Sequence, residues 1–269
     1  MSIGTMIKGL FSKKSPSEGS ADKPSFRDMR MHARVRPNIR SVMYAQIITP
    51  SASIHAEIID ISYGGIALSV DPSKAHDVIS AVKASIFVEN QKCDVTMKYL
   101  HRRGNVCGFS FSHESADALI FLREPIEMMK RGASLVKVPH ASEQQDSPNV
   151  NSMFWRGEGP TDIKLIRTSG SGELSEMHLI TREGRNYYCM SYKHGTITQS
   201  ETRQDSSSKL HKQNDNMHAI RDLDPITMKK SLLILNGIED QELLELIAAF
   251  RHALLNHLGI GPKLIKAAK

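Results

Sequence analysis

The chain has 269 residues, 40% of them hydrophobic and 24% charged, with a formal charge of +6. That length and apolar share fit one large or two ordinary domains with a packed core, and exclude a wholly disordered chain. No apolar run reaches the length of a membrane span, and "MIKGLFSKK" is too short and too lysine-rich for a signal peptide.

Three cysteines, Cys93, Cys107 and Cys189, form no CxxC pair, which points to a reducing cytoplasm rather than a disulfide scaffold. The twelve histidines are scattered, and His252 and His257 stand five apart, a poor spacing for two ligands on one helix face, so no metal site is expected. Nor does any nucleophile–base pair or P-loop mark an enzyme. The charge is uneven. Residues 1–50 hold nine lysines and arginines against three acids, which equals the whole positive excess. Such an arm seeks anions.

Residues 1–25 run from a short amphipathic turn (Met6, Ile7, Leu10, Phe11) into "SPSEGSADKPS" and are expected to be a disordered tail, making at most peripheral membrane contact. Arg27 to Arg40 has few apolar anchors before Val42, so this arm is expected to stay mobile until an anion orders it. From Val42 to Phe111 the pattern is strand-like. "SVMYAQIIT", "SIHAEIIDIS", "GIALSV", "KASIFVEN", "KCDVTMKYLHRR" and "NVCGFSFS" are six short segments rich in β-branched or alternating residues, which predicts a small antiparallel barrel or sandwich. "ESADALIFLREPIEMMKRG" reads as a helix that Pro125 should break or kink.

The polar stretch over 136–150 is read as a linker, which gives domains at 26–135 and 151–269. In the second, "MFWRGEG", "DIKLIRTS", "EMHLITREG" and "RNYYCMSYKHG" alternate as strands, with "SGSGE" and "REGRN" as hairpin loops. "QSETRQDSSSKLHKQNDNMH" reads as a mobile loop, and "DPITMKKSLLILNG" fits strand or helix equally. "IEDQELLELIAAFRHALLNHLG" predicts one long amphipathic helix, with Leu243, Leu246, Ile247, Phe250, Leu254 and Leu258 on one face and Gly259 as its C-cap. The expected fold is therefore mainly β: a six-stranded antiparallel barrel, then an α+β domain with a small antiparallel sheet and a long helix.

Two stretches carry chemistry. "RMHARVRPNIR" supplies Arg30, Arg34, Arg36 and Arg40; guanidinium forks pair with phosphate oxygens or the O6/N7 edge of guanine. In "DISYGG", Asp60 can accept from a guanine N–H pair and Ser62 can donate or accept, while Gly64 and Gly65 let the backbone turn and approach a flat ligand. Arg30-Met31-His32-Ala33-Arg34 followed by Asp60-Ile61-Ser62-Tyr63-Gly64-Gly65 resembles the RxxxR and DxSxxG motifs of the PilZ family of bacterial cyclic di-GMP receptors. Gly108-Phe109-Ser110-Phe111 is similar to that family's closing strand, and the segment after Glu114 to its terminal helix. The resemblance covers about residues 26–131 and leaves the second half without a counterpart.

This resemblance implies a six-stranded barrel with cyclic di-GMP across its outer surface. Arg30, Arg34, Asp60 and Ser62 would contact guanine, Gly64 and Gly65 would line the site, and Arg36 would be an auxiliary contact. Arg36-Pro37-Asn38-Ile39-Arg40 is a second RxxxR frame, and it stays open beside the first. The implied role is a cytoplasmic receptor without cofactor or catalysis, rearranged by its ligand to regulate motility, pili, exopolysaccharide or biofilm. Its protein partner is unidentified, with the C-terminal domain as a candidate surface. Two rivals are a basic barrel that binds nucleic acid and a PilZ-like protein that works through protein contacts alone. The first would need more exposed aromatics than this barrel region supplies, so no nucleic-acid partner is expected.

Overall fold

A computed structural model describes residues 32–49, 52–79, 83–138, 150–168, 173–203 and 218–260. They belong to one compact unit beginning at His32. The first six strands are β1 (Met43–Ile48), β2 (Ser53–Ser62), β3 (Gly65–Ser69), β4 (Lys83–Val88), β5 (Gln91–Arg103) and β6 (Val106–Phe111). All pair antiparallel in the order β1-β2-β3-β6-β5-β4, and β1 pairs with β4 to close a barrel. A short helix, α1 (Ala75–Ile79), lies between β3 and β4. Alternation explains the barrel. Met43, Ala45 and Ile47, then Ile54, Ala56 and Ile58, point inward at every second position and are at most 3% exposed. A bulge between Ile58 and Asp60 resets β2, so that Ile61 still points inward and Asp60 outward.

Helix α2 (Ala116–Ala133) follows the barrel and continues through Pro125, where the sequence predicted a break or a kink; the helix does not break there. A mid-helix proline costs roughly 3 kcal/mol. Here Leu122, Pro125, Ile126 and Met129 are all buried on one stripe, and that packing outweighs the lost hydrogen bond.

The second sheet has seven strands in simple meander order: β7 (Val136–Val138), β8 (Val150–Gly157), β9 (Thr161–Thr168), β10 (Leu174–Glu183), β11 (Asn186–Lys193), β12 (Thr196–Arg203) and β13 (His218–Ile220). The interval expected to be a linker thus opens with β7, which pairs with β8. The polar run expected to be a loop begins as β12, and its remainder, 204–217, lies outside the described residues.

Three helices cover one face of this sheet: α3 (Pro225–Asn236), α4 (Gln241–Leu246) and α5 (Ala248–His257). The segment that fitted strand or helix is α3. Asp224 caps it by accepting from the Ile226 and Thr227 amides, with Pro225 in the first turn. It is apolar on most sides because α2 packs on one flank and β11 and α5 on another, which removes the polar face that would have marked it as a helix. The single long helix predicted at the C-terminus is divided at Ile247, yet its stripe persists: Leu243, Ile247, Phe250 and Leu254 are at most 1% exposed.

One hydrophobic cluster runs from the barrel interior through α2 and α3 to the sheet residues Trp155, Leu165, Met177 and Met190. The α2–α3 crossing is close. A Cβ on Gly132 would stand 1.9 Å from the Ile234 carbonyl oxygen, and one on Gly237 would stand 2.0 Å from that of Met129. Among the described residues no helix is long and apolar enough to cross a membrane.

Candidate functional site

The arginine arm meets the barrel at β2. Val35 and Ile61 exchange both backbone hydrogen bonds at 2.9 Å, which lays the arm alongside the strand. Val35 and Ile39 are 1% and 7% exposed. They are the apolar anchors that the charge-dominated reading of the arm overlooked, and from His32 onward the arm is tied to the barrel.

This bridge sets the register of the two motifs. Arg34 Nη1 donates to Asp60 Oδ1 at 2.8 Å across 26 positions of sequence, and both side chains keep some exposure, 28% and 17%. Ser62 is buried; its Oγ accepts from the Gly64 amide at 3.3 Å and lies 3.4 Å from the Gly65 carbonyl, so it braces the two-residue turn between β2 and β3. Neither glycine takes a positive φ. Gly65 serves close approach instead, because a Cβ there would fall 2.2 Å from the Phe109 carbonyl oxygen on β6. Gly64 faces His32, whose ring lies 3.2 Å from where a Cβ would stand. Arg36 is exposed and has no ion-pair partner among the described residues. Arg40 reaches Glu57 on β2 at 2.7 Å with its side chain 78% exposed. Arg30 lies outside the described residues.

Tyr63, at the tip of this turn, was not singled out by the motif reading for any role. Its hydroxyl donates to Glu127 Oε1 on α2 at 2.5 Å, and Lys130 donates to the same oxygen at 2.9 Å while standing 4.9 Å from the Tyr63 ring. Burial, then the bond to Glu127, pushes the Tyr63 phenol up to about 12, and the Tyr63 and Lys130 bonds hold Glu127 below the usual carboxylate range. His32 meets the same ring edge-on at 6.0 Å. The turn is therefore fastened to α2 on one side and touched by the arm on the other.

The outer face beside Asp60 follows from strand register. Asp60 pairs with Ala67, Ala67 with Gly108, and Gly108 with His101, across β2, β3, β6 and β5. The neighbouring row is Ser62, Gly65, Ser110 and Lys98; the next is Glu57, Ser69, Val106 and Arg103. The middle two strands thus present small residues between taller, charged neighbours.

Below the RxxxR site, Asn38 enters the second half of the molecule. Its amide donates to the Asn236 carbonyl at 2.9 Å, and its Nδ2 donates to the Leu235 and Ile238 carbonyls at 3.1 and 2.9 Å. The Ile39 amide donates to Asn236 Oδ1. Glu89, only 7% exposed at the β4–β5 turn, pairs with Lys229 on α3 at 3.1 Å.

Two other features compete for attention. A concavity of about 750 Å³ lies further along β1 and β2, with Tyr44, His55, Glu57 and Asp71 among its lining; burial lowers the His55 pKa. It contains neither Asp60 nor Ser62. On the second sheet, His178 Nδ1 lies 2.8 Å from Ser191 Oγ, its Nε2 lies 3.3 Å from Glu176 Oε2, and Cys189 Sγ lies 3.4 Å from Ser191 Oγ. Glu176 is shared with Lys193, the β10–β11 backbone amides are committed to strand pairing, and burial pushes the Cys189 thiol up. These conditions suit a braced polar sheet surface better than a nucleophile, which needs a lowered thiol pKa and free donors for an oxyanion. Among the described residues no group of three or more His, Cys, Asp and Glu side chains is placed to hold a metal ion.

No family model matches the chain, and no curated protein matches it. Among solved structures, it is similar to the crystal structure of an uncharacterized Legionella protein, Lpg0364, at 14% identity over 35% of this chain and 94% of that one, with a TM-score of 0.28. So slight a likeness carries no statement about fold or function.

Proposed function

We propose that this protein is a receptor of the PilZ type that binds cyclic di-GMP on the outer face of its barrel. The observation that supports the reading most is the Arg34–Asp60 contact. Two motifs 26 positions apart converge on one surface at 2.8 Å, next to Ser62 and the Gly64–Gly65 turn. The guanidinium supplies planar donors for a phosphate or for the guanine O6/N7 edge, and the carboxylate accepts from a guanine N–H pair. In the pair as it stands, each group satisfies the other; a guanine entering between them offers both an equivalent partner. Arg30 and Arg36 add positive charge on the same arm. The ligand exerts its effect through the arm. Asn38 and Ile39 are bonded to the end of α3, so a shift of Arg34 toward a ligand bears directly on the helix that supports the second sheet. That sheet and its helices are the candidate output surface for a protein partner.

Calorimetric titration of the full chain with cyclic di-GMP tests this. Micromolar or tighter binding is expected, about −8 kcal/mol. Arg34→Ala and Asp60→Ala are each expected to weaken it at least tenfold, since a charge-assisted bond contributes roughly 1.5–3 kcal/mol. Absence of heat and of competition at saturating ligand refutes the assignment. Unchanged affinity in Arg34→Ala, with loss in Arg36→Ala and Arg40→Ala, moves the working pair to the second frame.

A further inference from the structure

The four strands next to Asp60 form a shallow floor with two walls. Gly65, Ala67, Gly108 and Ser110, all outward-facing on β3 and β6, keep the floor close to the backbone. Arg34, Asp60 and Ser62 stand along β2 on one side. On the other, β5 presents Lys98, His101 and Arg103, in register with Ser110, Gly108 and Val106. A bulge between Tyr99 and His101 turns His101 onto this face, out of the simple alternation that would have placed it beside Tyr99. Its ring leans over β6: a Cβ on Gly108 would fall 2.4 Å from His101 Cε1. All three β5 side chains are exposed, and none has an acidic partner among the described residues. This contrasts with Arg34, Arg40, Lys92 and Lys130, each of which is paired with a carboxylate. Three strand spacings separate β2 from β5, about 14 Å. Unpaired cations facing a paired Arg–Asp couple across a floor of that width match a folded cyclic dinucleotide, with its two bases to one side and the ribose–phosphate ring that carries both phosphates to the other.

We infer that Lys98, His101 and Arg103 form the phosphate-binding wall of the ligand face, opposite the base-reading wall of Arg34, Asp60 and Ser62. The inference rests on the proposed function and adds to it three residues outside both motifs. Beneath the ligand the floor stays low at Ala67 and Ser110, while the His101 ring lies over Gly108 and closes the floor at its far edge.

Affinity for cyclic di-GMP is measured by calorimetry for the wild-type chain, Lys98→Gln, His101→Asn, Arg103→Gln, the floor variant Ala67→Leu, Arg34→Ala, and Lys83→Gln as a control on β4. Thermal melting of each establishes that it is folded. Lys98→Gln and Arg103→Gln are expected to weaken binding about tenfold each. His101→Asn should weaken it less, Ala67→Leu should obstruct it, and Lys83→Gln should leave it unchanged. Wild-type affinity in the three β5 variants, with loss in Arg34→Ala, overturns the second wall and leaves the receptor assignment standing. Equal weakening in Lys83→Gln reduces the effect to net charge and also overturns the wall. Failure of the wild-type chain to bind removes both.

Discussion

Asn236 is fully buried, yet its side chain is engaged at both ends. Oδ1 accepts from the Ile39 amide at 2.5 Å, and Nδ2 points to Met129 Sδ at 3.7 Å. Truncation would strand the Ile39 N–H inside the protein, and an unsatisfied buried donor costs about 1–3 kcal/mol. Asn236→Ala is therefore expected to lower the unfolding free energy by that amount, read as a lower urea midpoint at unchanged m. The same variant frees Ile39, four positions from Val35, whose backbone bonds to Ile61 tie the arm to β2. An unchanged midpoint in Asn236→Ala would show that water or a shifted backbone replaces the bond. Asn38 performs the complementary task, donating to carbonyls at the end of α3 that the helix itself cannot pair.

At the scale of elements, the α2–α3 crossing is the tightest contact described. Gly132 and Gly237 each face backbone rather than a yielding side chain, so added atoms cannot be absorbed by a rotamer change. Gly132→Ala must push the helices apart, and overpacking of this kind typically costs about 1–3 kcal/mol. Gly184→Ala is strained for a different reason: it has open space but a φ of +59°. Chemical denaturation should therefore place Gly132→Ala well below wild type; equal stability would mean that the crossing relaxes freely. The helix starts provide a pH signature. The Thr227 hydroxyl bond holds the Asp224 carboxyl below its ordinary value. For Asp240 burial opposes ionisation, but the Leu243 amide and the Trp155 Nε1–H outweigh it, and its carboxyl also lies low. A carboxylate depressed in the folded state stabilises above its unfolded pKa of about 3.9, and that contribution is lost as pH falls through the lower folded value. Melting temperature should fall below about pH 4, and the fall should be shallower in Asp240→Asn.

The whole molecule has two sheets but one continuous buried cluster. Barrel and seven-stranded sheet meet through α2 and α3, the Asn38–Asn236 bonds and the Glu89–Lys229 ion pair. Neither lobe can lose its packing without exposing part of the other's core. Calorimetry is expected to show one cooperative unfolding transition. Two well-separated transitions, with the barrel signal independent of Asn236→Ala, would mean that the shared cluster does not couple them. This connection also links the arm to the second lobe by a short route: Arg34 to Asn38 is one stretch of chain, and Asn38 and Ile39 are hydrogen-bonded to the end of α3.

Local pattern determined much of this protein. The alternation from Val42 to Phe111 specified six strands and which residues fill the barrel, because a strand's side chains face opposite sides whatever its partners are. The stripe Leu243, Ile247, Phe250 and Leu254 marked a buried helical face for the same kind of reason. The two motifs were legible as residue types, which is as far as a local pattern reaches. What sequence could not supply was everything that depends on which segments meet. Val35 and Ile39 looked too few to hold a charged arm, and it is a strand edge and the end of a distant helix that make them anchors. That α2 continues past Pro125, and that the all-round apolar α3 is a helix, could not be read locally, because burial on several sides outweighs local propensity and erases its periodicity. The β5 wall depends on a bulge and on a four-strand register, and neither leaves a local mark in "MKYLHRR". Gly65 could be recognised by its motif, but only the proximity of the Phe109 carbonyl explains why no other residue fits there.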